Sequence, residues 1–150
     1  MKLISHRGNL NGINPDRENK IDYIEAALSQ GYDVEIDVWG VDGSLYSGHD
    51  SASYHMDINW IIERCDNLWV HVKNIKALEI IMRCDTNVNY FWHQNDDVTL
   101  TSRNFIWTFP GKELTSNSIA VLPEVKEFCN ISKAYGICSD FISMYRQQYD

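Results

Sequence analysis

The sequence predicts an α/β protein: a trimmed (β/α) barrel of parallel strands, with some helices shortened or missing. Short β-type runs recur along the chain, at residues 2–6, 33–38, 68–73, 89–93, 105–109, 118–122 and 136–141. Most are rich in β-branched and aromatic residues, as strands are. Helical stretches separate the early runs, and strand–helix–strand alternation is the pattern of parallel βαβ units. The chain has 150 residues, against ~250 for a full eight-stranded (β/α) barrel, so helices must have been lost. A single domain spanning residues 1–150 fits this length.

Each element has its own justification. The first run, KLISH, ends on His6. Ile21, Ile24, Ala27 and Leu28 follow the 3, 4 spacing of one helix face, which predicts a helix over 21–30. Gly31 stands where a C-terminal cap glycine belongs. In the second run, DVEIDV, residues two apart share a face, so Asp33, Glu35 and Asp37 oppose Val34, Ile36 and Val38. The apolar face is expected to pack on helices, and the acids to point into the barrel interior. Residues 41–46 read as a tight turn and a short strand returning beside the second run. Residues 58–64 and 75–84 are the next helices, the second with an apolar stripe of Ile75, Leu78, Ile81 and Met82. The links 94–104 and 110–117 are too short for a crossover helix, which takes at least ~10–12 residues with its loops. Asp96 and Asp97 read as a helix N-terminus leading into Val98-Thr99-Leu100. Trp69, Trp92 and Trp107 read as core or pocket wall.

Composition excludes several function classes. A net charge of −8 argues against nucleic-acid binding, which needs a basic face. A phosphorylated small molecule stays open, because a local metal ion and two cations can reverse the field. No run approaches the ~20 apolar residues that cross a bilayer, and the N-terminal apolar run is too short for a signal peptide. A cytoplasmic protein without a membrane span is expected. Cys65, Cys84, Cys129 and Cys138 form no CxxC pair and are expected to be free thiols.

Four constellations carry chemistry. Glu35 and Asp37, side by side inside a barrel, need a cation to offset their burial, and a hard divalent ion such as Mg²⁺ or Ca²⁺ suits them. A solvated strand edge is the plain alternative for this pair. His6-Arg7-Gly8 ends the first strand; Arg7 can hold phosphate oxygens bidentately, and Gly8 permits an unusual backbone turn. Gly48-His49-Asp50 follows the returning strand, which carries His49 back towards Asp37, so that His6 and His49 can serve as acid and base. His71 and Lys73 share a face of the third run, and Lys73 there needs a negative partner. His93 follows the fourth run on the same side and is read as a pocket residue.

These elements, in this order, resemble the glycerophosphodiester phosphodiesterase family. The matching residues are His6-Arg7-Gly8, Glu18-Asn19, Glu35-Ile36-Asp37, Asp42-Gly43 and His49-Asp50, with Tyr135 to Asp140 similar to the family's closing strand. The resemblance implies a metal-dependent TIM-type barrel that hydrolyses a small phosphodiester. It implies His6 and His49 as the acid/base pair and Glu35 and Asp37 as metal ligands, with Glu18 supporting or joining them. Arg7 and Lys73 would hold the phosphate, and Asn19 would be structural. The family's third strand usually reads Glu-x-Lys; here His71 replaces the acid, which tilts the site towards a softer metal such as Mn²⁺ or Zn²⁺. Glu124, after the sixth run, is a candidate replacement ligand. The shortened later half implies a smaller substrate or a second subunit covering the open side. A phosphoester- or sugar-phosphate-binding module without turnover is the alternative function.

Overall fold

The computed structural model describes residues 1–84 and 87–149. The elements run β1 (Lys2–His6), α1 (Ile21–Ser29), β2 (Asp33–Val41), β3 (Ser44–Ser47), β4 (Tyr54–Met56), α2 (Ile58–Glu63), β5 (Leu68–Val72), α3 (Ile75–Arg83), β6 (Asn89–Trp92), β7 (Val98–Leu100), β8 (Ile106–Thr108), β9 (Ser118–Val121), β10 (Gly136–Ser139) and α4 (Ile142–Tyr149). A single 3₁₀ turn, Ile131–Lys133, precedes β10.

The expectation of a trimmed TIM-type barrel of parallel strands is overturned. The ten described strands form one mixed sheet, curled into a half-barrel. β1 lies between β2 and β10 and is parallel to both; β5 and β6 extend the parallel set beyond β2, and β9 and β8 extend it beyond β10. β3 and β4 are antiparallel additions on the far end of β2, and β7 is antiparallel to β8. Among the described residues the α-helices have only six to nine residues each. The reason lies in the later connections. The β8–β9 link carries no helix and the β9–β10 link only the 3₁₀ turn, so among the described residues that half is covered by α4 alone, whose Ile142 packs with Ala120 and Ile137.

The acids Asp96 and Asp97 do not start a helix. Val98 to Leu100 pair with β8, Phe109 N–H donates to the Asp97 carbonyl, and Lys112 Nζ lies 2.7 Å from Asp97 Oδ1. β-branched Val98 and Thr99 suit that extended backbone.

The strand parity read in DVEIDV holds. Val34, Ile36 and Val38 pack with Ile24 and Ala27 of α1, Ile61 of α2, and Ala77 and Ile81 of α3. Gly40 lets α3 lie close, because a Cβ there would collide with the backbone at Lys76 and Ala77. Asn74 fixes the same junction: its side chain pairs with both backbone groups of Gly40 and caps the Ala77 N–H. Inside the curl lies a second cluster of Ile4, Trp69, Phe91, Trp107, Ile119, Val121 and Cys138. The four cysteines are free. None of the described helices is long and apolar enough to cross a membrane.

The parallel strands share one consequence for function. Their carboxyl ends lie on one rim of the sheet, which brings His6, Asp37, His71, Trp92, Thr108, Val121 and Ser139, at or within a residue of the ends of the parallel ladders, to the same side.

Candidate metal and phosphoester site

Register builds the site. His6 lies beside Glu35 across the β1–β2 ladder, and Asp37 beside His71 across the β2–β5 ladder. Glu35 is 2% exposed and Asp37 fully buried, so both need compensation for lost hydration.

Asn19 and Arg7 supply part of it. Asn19 Oδ1 accepts the Asp37 backbone N–H at 2.9 Å, and its Nδ2 donates to Asp37 Oδ2 at 3.0 Å. Asn19 adopts a left-handed backbone, φ 62°, as does Arg7, φ 55°, a conformation uncommon outside glycine. It persists because neighbours fix it: Arg7 N–H donates to the Glu35 carbonyl, Asn19 N–H to the Arg7 carbonyl, and Ser47 Oγ to the Asn19 carbonyl. Gly8 follows at φ 93°, where a Cβ would stand 2.6 Å from the Tyr23 ring. The turn aims the Arg7 guanidinium at two acids, with Nε 2.8 Å from Asp37 Oδ2 and one terminal nitrogen 3.2 Å from Glu18 Oε2. Lys73 Nζ lies 3.3 Å from Asp37 Oδ1.

His71 sits between the acids. Its Nε2 is 2.9 Å from the His93 carbonyl; a carbonyl only accepts, so Nε2 carries the hydrogen. Nδ1 therefore faces the carboxylates, 3.1 Å from Asp37 Oδ1 and 3.7 Å from Glu35 Oε1. Burial opposes charge on this imidazole, but Asp37 and Glu35 outweigh it and push its pKa up to about 9. Burial likewise works against ionised Asp37, yet His71, Arg7 and Lys73 hold its carboxyl well below the usual range.

His6 is fixed from the other side. Its Nδ1 lies 2.7 Å from Asp140 Oδ1, and its Nε2 lies 3.8 Å from Glu35 Oε2. Burial lowers the His6 pKa, but Asp140 and Glu35 raise it further, so the net shift is upward. Asn9 Nδ2 bridges Asp140 Oδ1 and Glu18 Oε1, at 2.8 Å each. Four carboxylates thus meet two permanent cations in this network. The excess negative charge must be offset by the imidazoles or by a metal ion.

The donor set fits such an ion. One ligand atom each from Glu35, Asp37 and His71 lies within 4.8 Å of the others. Glu35 Oε2 and Asp37 Oδ1 are buried without a hydrogen-bond partner among the described residues, an arrangement that normally costs free energy. Two other expected ligands are engaged elsewhere. Glu18 is held by Arg7 and Asn9. Glu124 accepts from Ser139 Oγ and the Asp140 N–H, so it buttresses the Asp140 turn, outside the group formed by Glu35, Asp37 and His71.

No family model, curated protein or solved structure matches this chain. The reading of the site therefore rests on its geometry.

Two cavities open on the rim. A polar cleft of about 460 Å³ is lined by Arg7, His49, His71, Lys73, His93 and Trp39, among others. Trp39 Nε1 donates to the Gly48 carbonyl at 2.6 Å, which anchors the loop carrying His49. His49 itself is half-exposed, with Nδ1 2.9 Å from Asp50 Oδ1. A smaller chamber of about 220 Å³ is lined by His6, Arg7, Glu35, His71 and His93 on one side and by apolar residues on the other. The two cavities share Arg7, His71 and His93; His6 lines the chamber and His49 the cleft. His93 Nε2 lies 2.7 Å from the Asp96 carbonyl, and its ring stacks on Phe109 at 5.7 Å.

Sequence reasoning assigned no role to Asp140, Asn9 or Trp39. Asp140 had a signal, since it ends the closing-strand motif. Asn9 and Trp39 had none, because their partners are set by the fold.

Proposed function

We propose that this protein is a metal-dependent phosphoric diester hydrolase acting on a small glycerophosphodiester-like substrate. One observation carries the reading: Glu35 Oε2 and Asp37 Oδ1 are buried without a hydrogen-bond partner among the described residues, and both carboxylates lie within one ion's reach of His71, beside a cleft holding Arg7, Lys73 and His49.

Glu35, Asp37 and His71 would hold the metal. The oxygen donors suit Mg²⁺ or Ca²⁺, and the imidazole admits Mn²⁺. A divalent ion held there would neutralise phosphate charge and lower the pKa of a hydroxyl. Arg7 and Lys73 bind phosphate oxygens, sharing their charge with Asp37, and His93 lines the wall. Asp140 holds Nδ1 of His6 and so leaves Nε2 free to move a proton. His49, at the solvent side of the cleft, handles the second proton. One histidine takes the proton of the attacking oxygen, and the other protonates the leaving oxygen.

A phosphoester-binding module without turnover is the second reading. It is favoured by the ion pairs that Arg7 and Lys73 already make with Asp37, which spend part of their charge. Hydrolysis of glycerophosphodiesters and of a bis-aryl phosphodiester, with Mg²⁺, Ca²⁺ or Mn²⁺ and with chelator, separates the two. Cleavage that needs metal and is lost in both His6→Ala and His49→Ala supports the hydrolase. No metal-dependent cleavage, or cleavage unchanged in those variants, rejects it.

A further inference from the structure

The apolar side of the smaller chamber has no part in metal or phosphate binding. Trp107, Phe109, Pro110, Val121, Leu122 and Val125 form it. Two of these large apolar side chains stay open to solvent, Phe109 at 45% and Val125 at 70% exposure, although both border a cavity. The wall behind them is aromatic. Trp107 stacks on Phe91 at 4.5 Å, Phe91 stacks on His71 at 5.1 Å, and Phe109 stacks on His93 at 5.7 Å.

We propose that this chamber is a binding site for an apolar alkyl or aryl substituent of the phosphoester, while the polar cleft takes the phosphate and its hydrophilic arm. The inference rests on the phosphoester reading of the cleft. Its support is the contrast between two cavities that meet at the same three residues, Arg7, His71 and His93. A substituent attached to a phosphate held by Arg7 has two ways to leave it, one polar and one apolar. Size narrows the occupant. A dry aliphatic cavity of about 150 Å³ takes up benzene, so 220 Å³ suits one aryl ring or a short alkyl chain whose end emerges past Val125.

The test is the binding of ethyl, butyl and hexyl phosphate, with glycerol phosphate as the polar control, by calorimetry on the Mn²⁺-loaded full chain. Each buried methylene should tighten binding about fourfold until the chamber is full, and hexyl phosphate should bind more tightly than glycerol phosphate. Val125→Asp, at an exposed position outside the catalytic set, should flatten the series and leave ethyl phosphate within about twofold of its original affinity. A flat series in the unaltered protein, or an unchanged slope in Val125→Asp, overturns the proposal. Diester cleavage accompanied by a flat series removes the chamber and keeps the hydrolase. A steep series without any diester cleavage does the reverse.

Discussion

His71 presents Nδ1 to Asp37 Oδ1 at 3.1 Å because its Nε2 is committed to the His93 carbonyl. The outer hydrogen bond fixes the ring so that the free nitrogen points at both acids, as outer partners of metal-ligating histidines do. The same nitrogen binds a proton when no metal is present. A metal ion held there would therefore compete with the proton for one lone pair.

The nitrogen donor should set metal preference. His71→Glu replaces a borderline ligand by a hard one, which favours Mg²⁺ and Ca²⁺ relative to Mn²⁺. The Mn²⁺-to-Mg²⁺ affinity ratio should fall at least tenfold by calorimetry. An unchanged ratio would remove His71 from the ligand set.

Metal-free protein should show an alkaline stability loss. The folded pKa of His71 is raised from 6.5 to about 9. A raised folded pKa stabilises fully below the unfolded value and loses that contribution as pH climbs through the folded one. In chelator, stability from this group should hold to about pH 6.5 and decline towards pH 9. That rise corresponds to about 3–4 kcal/mol at most, with the His71–Asp37 attraction counted once. Denaturant melts between pH 6 and 10 read it directly, and His71→Ala should make the profile shallower, leaving the smaller contribution of His6, whose pKa is also raised.

Much of this arrangement was legible in the chain, and the parts that were not share a cause. Helices α1 and α3 follow local spacing, so the sequence locates them, but only Leu78 and Ile81 of the expected α3 stripe pack on the core, while Ile75 and Met82 stand exposed. The alternation in DVEIDV separates Glu35 and Asp37 from the core face for the same reason. Closure and pairing depend on partners far along the chain, and the expected barrel was wrong there. β7 looked like a helix entry because Asp96 and Asp97 suit an N-terminus; its pairing with β8 decided otherwise. Glu124 was eligible by type as a ligand, but Ser139 and the Asp140 N–H, 15 and 16 residues away, had already engaged it. Asp140 reaches His6 across 134 residues, a distance no local pattern spans.

That long-range contact should matter for turnover. Asp140→Asn keeps the shape but removes the charge that holds Nδ1–H of His6 and raises its pKa. General acid–base catalysis contributes about 10²–10⁴-fold, so kcat for diester cleavage should drop ~100-fold or more. The His6 limb of the pH–rate profile should also move to lower pH. A purely structural role would lower stability without moving that limb.

Asn19 offers the last test, because it touches neither cavity yet holds Asp37 at two points. Asn19→Ala deletes both hydrogen bonds, leaves the buried Asp37 amide without its acceptor, and puts a residue with no side-chain hydrogen bond at φ 62°. Hydrogen bonds to charged groups are worth about 1.5–3 kcal/mol, and the left-handed backbone costs of order 1 kcal/mol more. Unfolding stability should therefore fall by about 3 kcal/mol in denaturant titration. Metal affinity should fall with it, since Asp37 loses its orientation. Asn19→Asp discriminates the two effects. It keeps an acceptor for the Asp37 amide but places a second negative charge against Oδ2, so metal should recover more of its stability than of the Ala variant's. Equal recovery by metal in both variants would mean that Asn19 acts through the backbone turn alone.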